Sequence, residues 1–578
     1  MWALACRVTL FAGLLCSIGL GARGSGAVDP VPPEHQATFD ELSARLTSFE
    51  AQLDAQWDGV VGPRQFAGPL SAANGNKSVA VLEPAGWIGS LAMLDAYQAL
   101  GVEVIKIEVD YPVFTPAFQS WLAAHPPAAY NPYTATVPDF LGTPTSFYNE
   151  IVAEIRSRGM GVWIEHGTLF ADYSPTPPGA YFADMRTAGL AATRARYTAE
   201  RTAEAALLVS QLEPDYFAIL EEPATQNDNF GYFPGNVPLF DEAGWLGFVQ
   251  AAVAAIDTAA PGSATKLGAG SGTWDGIGYT AQFAAMPELD FVDLHLYPFG
   301  IPGQDFLQNV IDWSAYIRSV DPSKEVLMGE TWLYKVRADE VAAQLDYNTI
   351  IARDVWSFWE PLDAQFHEML LKLIQVAGIE MVMPFWTQYY WGYLTWGDPT
   401  LAGLEGPALV AEAASRAGPN VLTGPLTGSG VAFEDVVATT LDADGDGVAN
   451  ATDNCQRWPN AGQALPPWTL ASVDPDCDGF PSLAPDGGLA AETFVGTTPT
   501  VQCAATSVAN DEPSPDRWPL DMNDDQRANM LDVLMYIGKL NKIAPDPLYV
   551  QRFDLSGDSR VNLVDVLKFV PFLNQTCT

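Results

Sequence analysis

Eight short apolar segments recur along the chain, each followed by a longer amphipathic stretch, and this rhythm constrains the fold more than any other feature. The segments are SVAVLEP (78–84), VEVIKIEV (102–109), GMGVWIEHG (159–167), YFAILEEP (216–223), KLGAGSG (266–272), DFVDLHLYPF (290–299), EVLMGETW (325–332) and EMVMPFWTQ (380–388). Strands joined by helical crossovers run parallel, and eight of them predict a closed (β/α)8 barrel. The fifth, rich in glycine, is the weakest strand of the set. The barrel is expected over 78–417. A helical segment is expected in 28–77, where residues 34–57 have helical spacing.

Other textures flank the barrel. Arg7 precedes the apolar run VTLFAGLLCSIGL, and small residues follow it. The pattern predicts a signal peptide over 1–27, cleaved near Ala22 or Ala27, and hence a secreted, extracellular protein. Four cysteines remain after that cleavage: Cys455, Cys477, Cys503 and Cys577. An even number in an exported chain predicts disulfides there, while the barrel must be held by its core. Lys and Arg total 28 against 70 Asp and Glu, a net charge of −42. Nucleic acid and anionic membrane are thereby excluded as partners. Residues 418–440, rich in glycine, threonine and proline, read as a linker. An acidic, disulfide-containing region is expected over 441–515. Residues 516–578 hold an internal repeat: DMNDDQRANMLDVL from Asp521 recurs as DLSGDSRVNLVDVL from Asp554, 33 residues on.

In a barrel of this kind chemistry collects at the C-terminal ends of the strands. Those ends carry Glu83, Glu108, His166, Glu221, Glu222, His295, Tyr297, Glu330 and Trp386. Two carboxylates on different strands suit glycoside hydrolysis, one donating a proton to the leaving oxygen while the other attacks carbon or activates water. The aromatics of PFWTQYYWGYLTW offer flat platforms for sugar rings; packing in the core or a lid is the plainer use of such residues. Two other readings fit: a ring of carboxylates and histidines holding a divalent metal for isomerase or lyase chemistry, and a non-catalytic, calcium-stabilised glycan binder.

The motifs EEP, HLY, GETW and PFW, in that order on strands four, six, seven and eight, resemble the retaining glycoside hydrolases of clan A, in the style of family 5. The resemblance covers roughly residues 75–415. It implies Glu222 as acid/base, Glu330 as nucleophile and a carbohydrate substrate. It also implies contacts from His295, Tyr297 and Trp386, and it bears on Glu221 and Lys106; with His166, a strand-end residue, these complete the expected substrate-binding set. Glu221 stands where that family has Asn, and Lys106 where the second strand usually presents Arg. Neighbours on a regular strand face opposite ways, so the chain must bend if Glu221 and Glu222 both reach the site.

In DADGDGVANATDNC, Asp442, Asp444 and Asp446 alternate ahead of Asn450 and Asp453, a pattern that can wrap calcium. With DNCQRWPNAGQ and the later DPDCDG it resembles a thrombospondin type 3 repeat, which implies a Cys455–Cys477 bridge. In the 33-residue repeats, Asp521, Asn523, Asp525, Asn529 and Asp532 occupy calcium-loop positions 1, 3, 5, 9 and 12. Asp554, Ser556, Asp558, Asn562 and Asp565 repeat them. This resembles a type I dockerin, which implies calcium and a cohesin-type scaffold. Gln526 and Ser559 replace the usual glycine at position 6. Met530-Leu531 and Leu563-Val564 replace the usual contact pair, which speaks against the scaffold and for packing on the chain's own domain.

Overall fold

The structure, a computed structural model, describes residues 28–70, 84–125, 144–169, 177–298, 305–343, 345, 347–511 and 516–577. The expected signal peptide and Glu83 lie outside the described residues. Eight parallel strands close a barrel in chain order: β1 (Gln65–Pro69), β2 (Val104–Glu108), β3 (Gly161–Glu165), β4 (Tyr216–Ala218), β5 (Lys266–Gly272), β6 (Phe291–Leu296), β7 (Glu325–Thr331) and β8 (Met381–Pro384), with β8 pairing back onto β1. Helices α1 (Pro33–Asp54), α2 (Leu190–Leu212), α3 (Glu242–Ala259) and α4 (Glu360–Ala377) are among those packed outside it.

Two sequence expectations are corrected. The first strand is Gln65–Pro69, so the barrel begins before residue 78. Of the expected 78–84 strand, 78–83 lie outside the described residues and Pro84 opens a helix. The supposed linker 418–440 is helical instead: α5 (Pro407–Thr423) is followed by α6 (Gly428–Leu441), which packs on α4. Phe433, Val436 and Val437 recur at helical spacing and are buried with the barrel core. Removing that apolar stripe from water outweighs the turn-like composition around it.

The glycines of β5 have a steric reason. Gly268, Gly270 and Gly272 alternate, so they share one face. A Cβ at these positions would overlap Phe291, the Glu221 carboxylate and Trp274 respectively. The strand is glycine-rich because large and charged side chains fill the space against it.

Beyond α6 the tail has its own small core around Trp468, Phe480, Trp518, Leu555 and Phe572. Disulfides join Cys455 to Cys477 and Cys503 to Cys577, with Cα separations of 5.6 and 5.5 Å. The first is the pair that the repeat resemblance implies; the second pairing was open in the sequence. Among the described residues no helix is long and apolar enough to cross a membrane.

Candidate active site

The adjacent glutamates Glu221 and Glu222 are placed by a backbone turn. Glu222 precedes Pro223, which disfavours the right-handed helical region, and it adopts φ 45°, ψ 70°. A left-handed residue breaks the strand alternation. Glu221 and Glu222 therefore both reach His295: Glu221 Oε2 lies 3.7 Å from its Nε2, while Nδ1–H donates to Glu222 Oε1 at 2.7 Å. Such a conformation costs about 1–3 kcal/mol in a non-glycine residue, and strain of this kind gathers at functional sites.

Glu330 arrives on β7 by a second irregularity. The β6–β7 register slips between Asp293 and His295, so that His295 pairs with Glu330. Gly329 makes the slip possible: its N–H donates to Asp293 Oδ1 at 2.5 Å, and a Cβ there would overlap that carboxylate. Tyr297 donates to Glu330 Oε2 at 2.6 Å, and that oxygen lies 3.6 Å from His295 Nδ1. Glu222 and Glu330 thus converge on one nitrogen. Their facing oxygens can be no more than about 6.3 Å apart.

Beneath this pair, Lys106 crosses from β2 to donate to the Gly329 carbonyl on β7 at 2.9 Å and pairs with Glu165. Five carboxylates (Glu165, Glu221, Glu222, Asp293, Glu330) face two cations, Lys106 and His295. Burial opposes the charge on both, but the surrounding acids prevail and hold each well above its ordinary pKa. Two cations do not balance five carboxylates. Burial, reinforced by Asp293, pushes Glu221 well above the carboxylate range, against the pull of His295. Both Glu221 oxygens lack a hydrogen-bond partner. Asp275, just after β5, is pushed up to about 7, by burial first and then by Glu222.

The other expected residues separate. Tyr297 stacks on Tyr334 at 4.4 Å and meets Trp274 at 5.6 Å. Trp386 follows β8 and is 5% exposed, against Phe385, so little of its face is open. His166 is a correction. Its neighbour Glu165 turns inward to Lys106, so His166 turns outward to α2. There its Nε2 lies 3.9 Å from Glu204, and Arg201 bonds its carbonyl. It is fully buried, both ring nitrogens lack hydrogen-bond partners, and burial followed by Arg201 keeps it neutral. It packs the barrel wall and does not join the carboxylates.

Sequence reasoning missed Glu165, Asp293, Trp274, Asp275 and Tyr334. Asp293 was findable, since it alternates with His295 and Tyr297 along one face. Two interior groups, Glu165–His295–Glu330 and Glu221–Asp293–His295, each bring three ligand atoms within 4.8 Å. The Lys106 ammonium already sits among these acids, which weakens the case for a cation there.

In the tail, Asp442, Asp444 and Asp446 bring carboxylate oxygens within 4.8 Å of one another. Asp444 Oδ2 and Asp453 Oδ2 are buried without a hydrogen-bond partner. Asn450 instead caps the loop, its Oδ1 accepting from Ala443 N. In the repeats, Asp521, Asp532, Asp554 and Asp565 are buried and Asn523 Oδ1 has no hydrogen-bond partner. Asp525 and Asp558 accept from Arg527 N and Arg560 N, while Ser556 and Asn562 bond back within their loop. Asn529 caps its helix by accepting from Leu531 N. This donor chemistry, oxygen throughout, fits calcium.

A dockerin type I domain model matches residues 519–573, and a thrombospondin type 3 repeat model matches residues 440–463. Among solved structures, the chain is similar to a GH5_18 from Bifidobacterium longum subsp. infantis (12% identity, 65% of this chain and 79% of that one, TM-score 0.38). It is also similar to fungal β-1,4-galactanases (12%, 60% and 90%, TM-score 0.35) and to a GH113 β-1,4-mannanase (8%, 63% and 99%, TM-score 0.32). No curated protein matches the sequence.

Proposed function

We propose that the chain is a secreted, retaining glycoside hydrolase acting on a polysaccharide or oligosaccharide, with a calcium-binding tail. One observation carries the reading: Glu222 and Glu330, from opposite sides of the barrel mouth, meet at His295 Nδ1, at 2.7 and 3.6 Å. Glu330, oriented by the Tyr297 hydroxyl, attacks the anomeric carbon. Glu222 shares a proton with His295 and delivers it to the leaving oxygen, then takes one from water in the second step. Trp274 and Tyr297 supply the apolar wall for the sugar ring, and Trp386 adds only the small part of its ring that is exposed. Lys106 acts from below, holding the acids in place.

The proposed catalytic unit runs from residue 28 to the end of α6. Disulfides in the tail support an extracellular location. Dockerin domains bind cohesins. Here Met530 and Leu531 are 55% and 57% exposed, and Leu563 and Val564 66% and 48%. These pairs do not pack on the chain's own domain, which favours a cohesin-type partner with an apolar face. Calcium in the Asp442 loop and both repeat loops is part of the same proposal.

The test is a polysaccharide panel read by reducing-sugar release, followed by two variants on whichever substrate responds. Glu222→Ala should lose about 10²–10⁴-fold in rate and recover with azide. Glu330→Ala should not yield the retained product. An inverted anomer from the wild type would overturn the mechanism. Activity abolished by chelation and restored by metal in the isolated barrel would favour a metalloenzyme.

A further inference from the structure

Glu222 and Glu330 meet at one nitrogen of His295; the other nitrogen faces a small closed cell beneath them. Its Nε2 lies 3.5 Å from Asp293 Oδ2 and 3.7 Å from Glu221 Oε2. All three residues are at most 1% exposed. Nε2, Asp293 Oδ2 and both Glu221 oxygens are buried and make no hydrogen bond of ordinary length, so across this gap they face one another. Two glycines keep the cell open. A Cβ on Gly270 of β5 would overlap Glu221 Oε2, and one on Gly329 of β7 would overlap Asp293 Oδ2. The Gly329 amide also fixes the Asp293 side chain, by donating to its other oxygen, Oδ1.

Building on the hydrolase reading of this site, we propose that Asp293 and Glu221 are positioning residues that act through His295. From the Nε2 side they keep the imidazole doubly protonated and aimed at Glu222, so the proton given to the leaving oxygen comes from a histidine–glutamate pair. A doubly protonated ring has a donor at each nitrogen. Nδ1–H is already on Glu222, and Nε2–H has Asp293 and Glu221 before it. A neutral ring with its proton on Nδ1 would turn a bare lone pair toward the Asp293 carboxylate. Burial opposes the charge on the ring, but Glu330, Asp293 and Glu222 outweigh it. Glu221, kept neutral by burial and by Asp293, adds an acceptor below the ring without crowding a second charge beside Asp293. Lys106 on β2, Glu165 on β3, Asp275 after β5, Tyr297 after β6 and Glu330 on β7 are the other titratable groups around the cluster.

The arrangement decides which ring proton moves. As Glu330 bonds to the anomeric carbon, the glycosidic bond breaks with its electron pair on the leaving oxygen. That oxygen takes the proton that Nδ1 shares with Glu222, and the ring is left neutral with its remaining proton on Nε2. Asp293 and Glu221 hold that remaining proton, so the ring gives up the one on Nδ1. In the second step water bonds to the anomeric carbon as the bond to Glu330 breaks, and the proton that water sheds returns to the pair.

The test is Asp293→Asn in the full chain. The Gly329 amide should still hold the side-chain oxygen, which turns the new NH2 toward Nε2. A donor there demands a bare Nε2, so the ring loses its charge. On whichever substrate responds, the alkaline limb of kcat/KM should fall by about 1–3 pH units, the effect of removing one nearby opposite charge. The loss should appear in kcat and leave KM unchanged. Glu221→Gln, neutral at every pH, should move the limb in the same direction by less. NMR of ring-labelled histidine gives a readout independent of activity, with the His295 signal identified by its absence in His295→Gln. The wild-type His295 ring should stay doubly protonated above neutral pH, and in Asp293→Asn it should lose its second proton at lower pH. This titration is readable when no glycan is hydrolysed, so a failed hydrolase reading and a failed role for Asp293 are told apart. An alkaline limb and a ring titration that both ignore Asp293→Asn overturn the proposal. So does a wild-type ring already neutral at pH 7, which would have Glu221 donating its hydroxyl to Nε2. A transition metal bound at one per chain and lost in Asp293→Asn overturns it too, since these three side chains would then be its ligands. Should Asp293→Asn fail to fold, the wild-type ring titration still decides.

Discussion

At single residues, the chain places charge and backbone strain where ordinary folding rules would avoid them. Glu221 is the sharpest case. A carboxyl whose folded pKa is raised contributes stability that is full below its unfolded pKa and is lost as pH rises through the folded value. Burial raises Glu221, so the barrel should lose stability as pH climbs above the ordinary carboxylate range. Glu221→Gln cannot ionise. Its barrel transition, followed by calorimetry across pH, should fall less steeply toward alkali than that of the wild type; an identical slope would show that Glu221 is ionised throughout. The repeat loops offer a second residue-scale test. Gln526 and Ser559 stand at φ 64° and 66°, where glycine is usual. Gln526 has a compensating hydrogen bond from Nε2 to the Ala504 carbonyl at 2.7 Å. Among the described residues, no side-chain hydrogen bond is found for Ser559. Ser559→Gly should therefore stabilise the tail by about 1 kcal/mol, and Gln526→Gly by less or not at all. Denaturant melts of the calcium-loaded chain would measure both.

At the level of elements, the last helix belongs to the barrel. Phe433 on α6 stacks on Tyr390 at 4.8 Å and meets Phe66 of β1 edge-on at 5.7 Å. Phe433→Ala should cost the barrel about 3–5 kcal/mol, the range for emptying a packed aromatic site. A chain ending at residue 417 should melt well below one ending at 441, and equal transitions would return 418–440 to the status of a linker. The comparison also shows what the sequence could reveal. Seven strands were legible because apolar runs bounded by turns leave little else for a chain to form. The first was not. QFAGP carries a glycine and a terminal proline, and the more apolar SVAVLEP downstream outcompeted it on composition. The glycines of β5 looked like weakness in a strand, when they make room for Phe291, Glu221 and Trp274. Glu222, Glu330, His295 and Tyr297 were legible from motif order, because strand ends at a barrel mouth point to one place. His166 was misplaced because one position along a strand decides which side a residue faces. Glu165 needed the crossing of Lys106 through the barrel, and the register slip that pairs His295 with Glu330 is likewise not written in any local pattern.

Across the whole molecule, the tail and the barrel meet through a small polar seam. Gln456 Oε1 accepts from Val61 N at 2.9 Å, and Arg457 donates to the Gly59 carbonyl at 3.2 Å while lying over Trp57 at 4.9 Å. A Cβ at Gly59 would overlap the Pro499 carbonyl, so the two surfaces touch backbone to backbone. These contacts need the loop around Cys455 to be folded, and that loop carries the acids proposed to hold calcium. Binding that acts only on the folded tail stabilises it by mass action. The seam passes part of that gain to the barrel's N-terminal segment, because tail and barrel then lose the contact together. Calcium should therefore raise two calorimetric transitions in the full chain, the tail's by much and the barrel's by about 2–4 °C per kcal/mol transmitted. Arg457→Ala removes the cation from the Trp57 ring and the donor from the Gly59 carbonyl. In that variant the tail transition should still respond to calcium while the barrel transition no longer does. A barrel transition that ignores calcium in the wild type would mean that the seam transmits nothing. One that still follows calcium in Arg457→Ala would place the coupling in Gln456 and the backbone contact at Gly59.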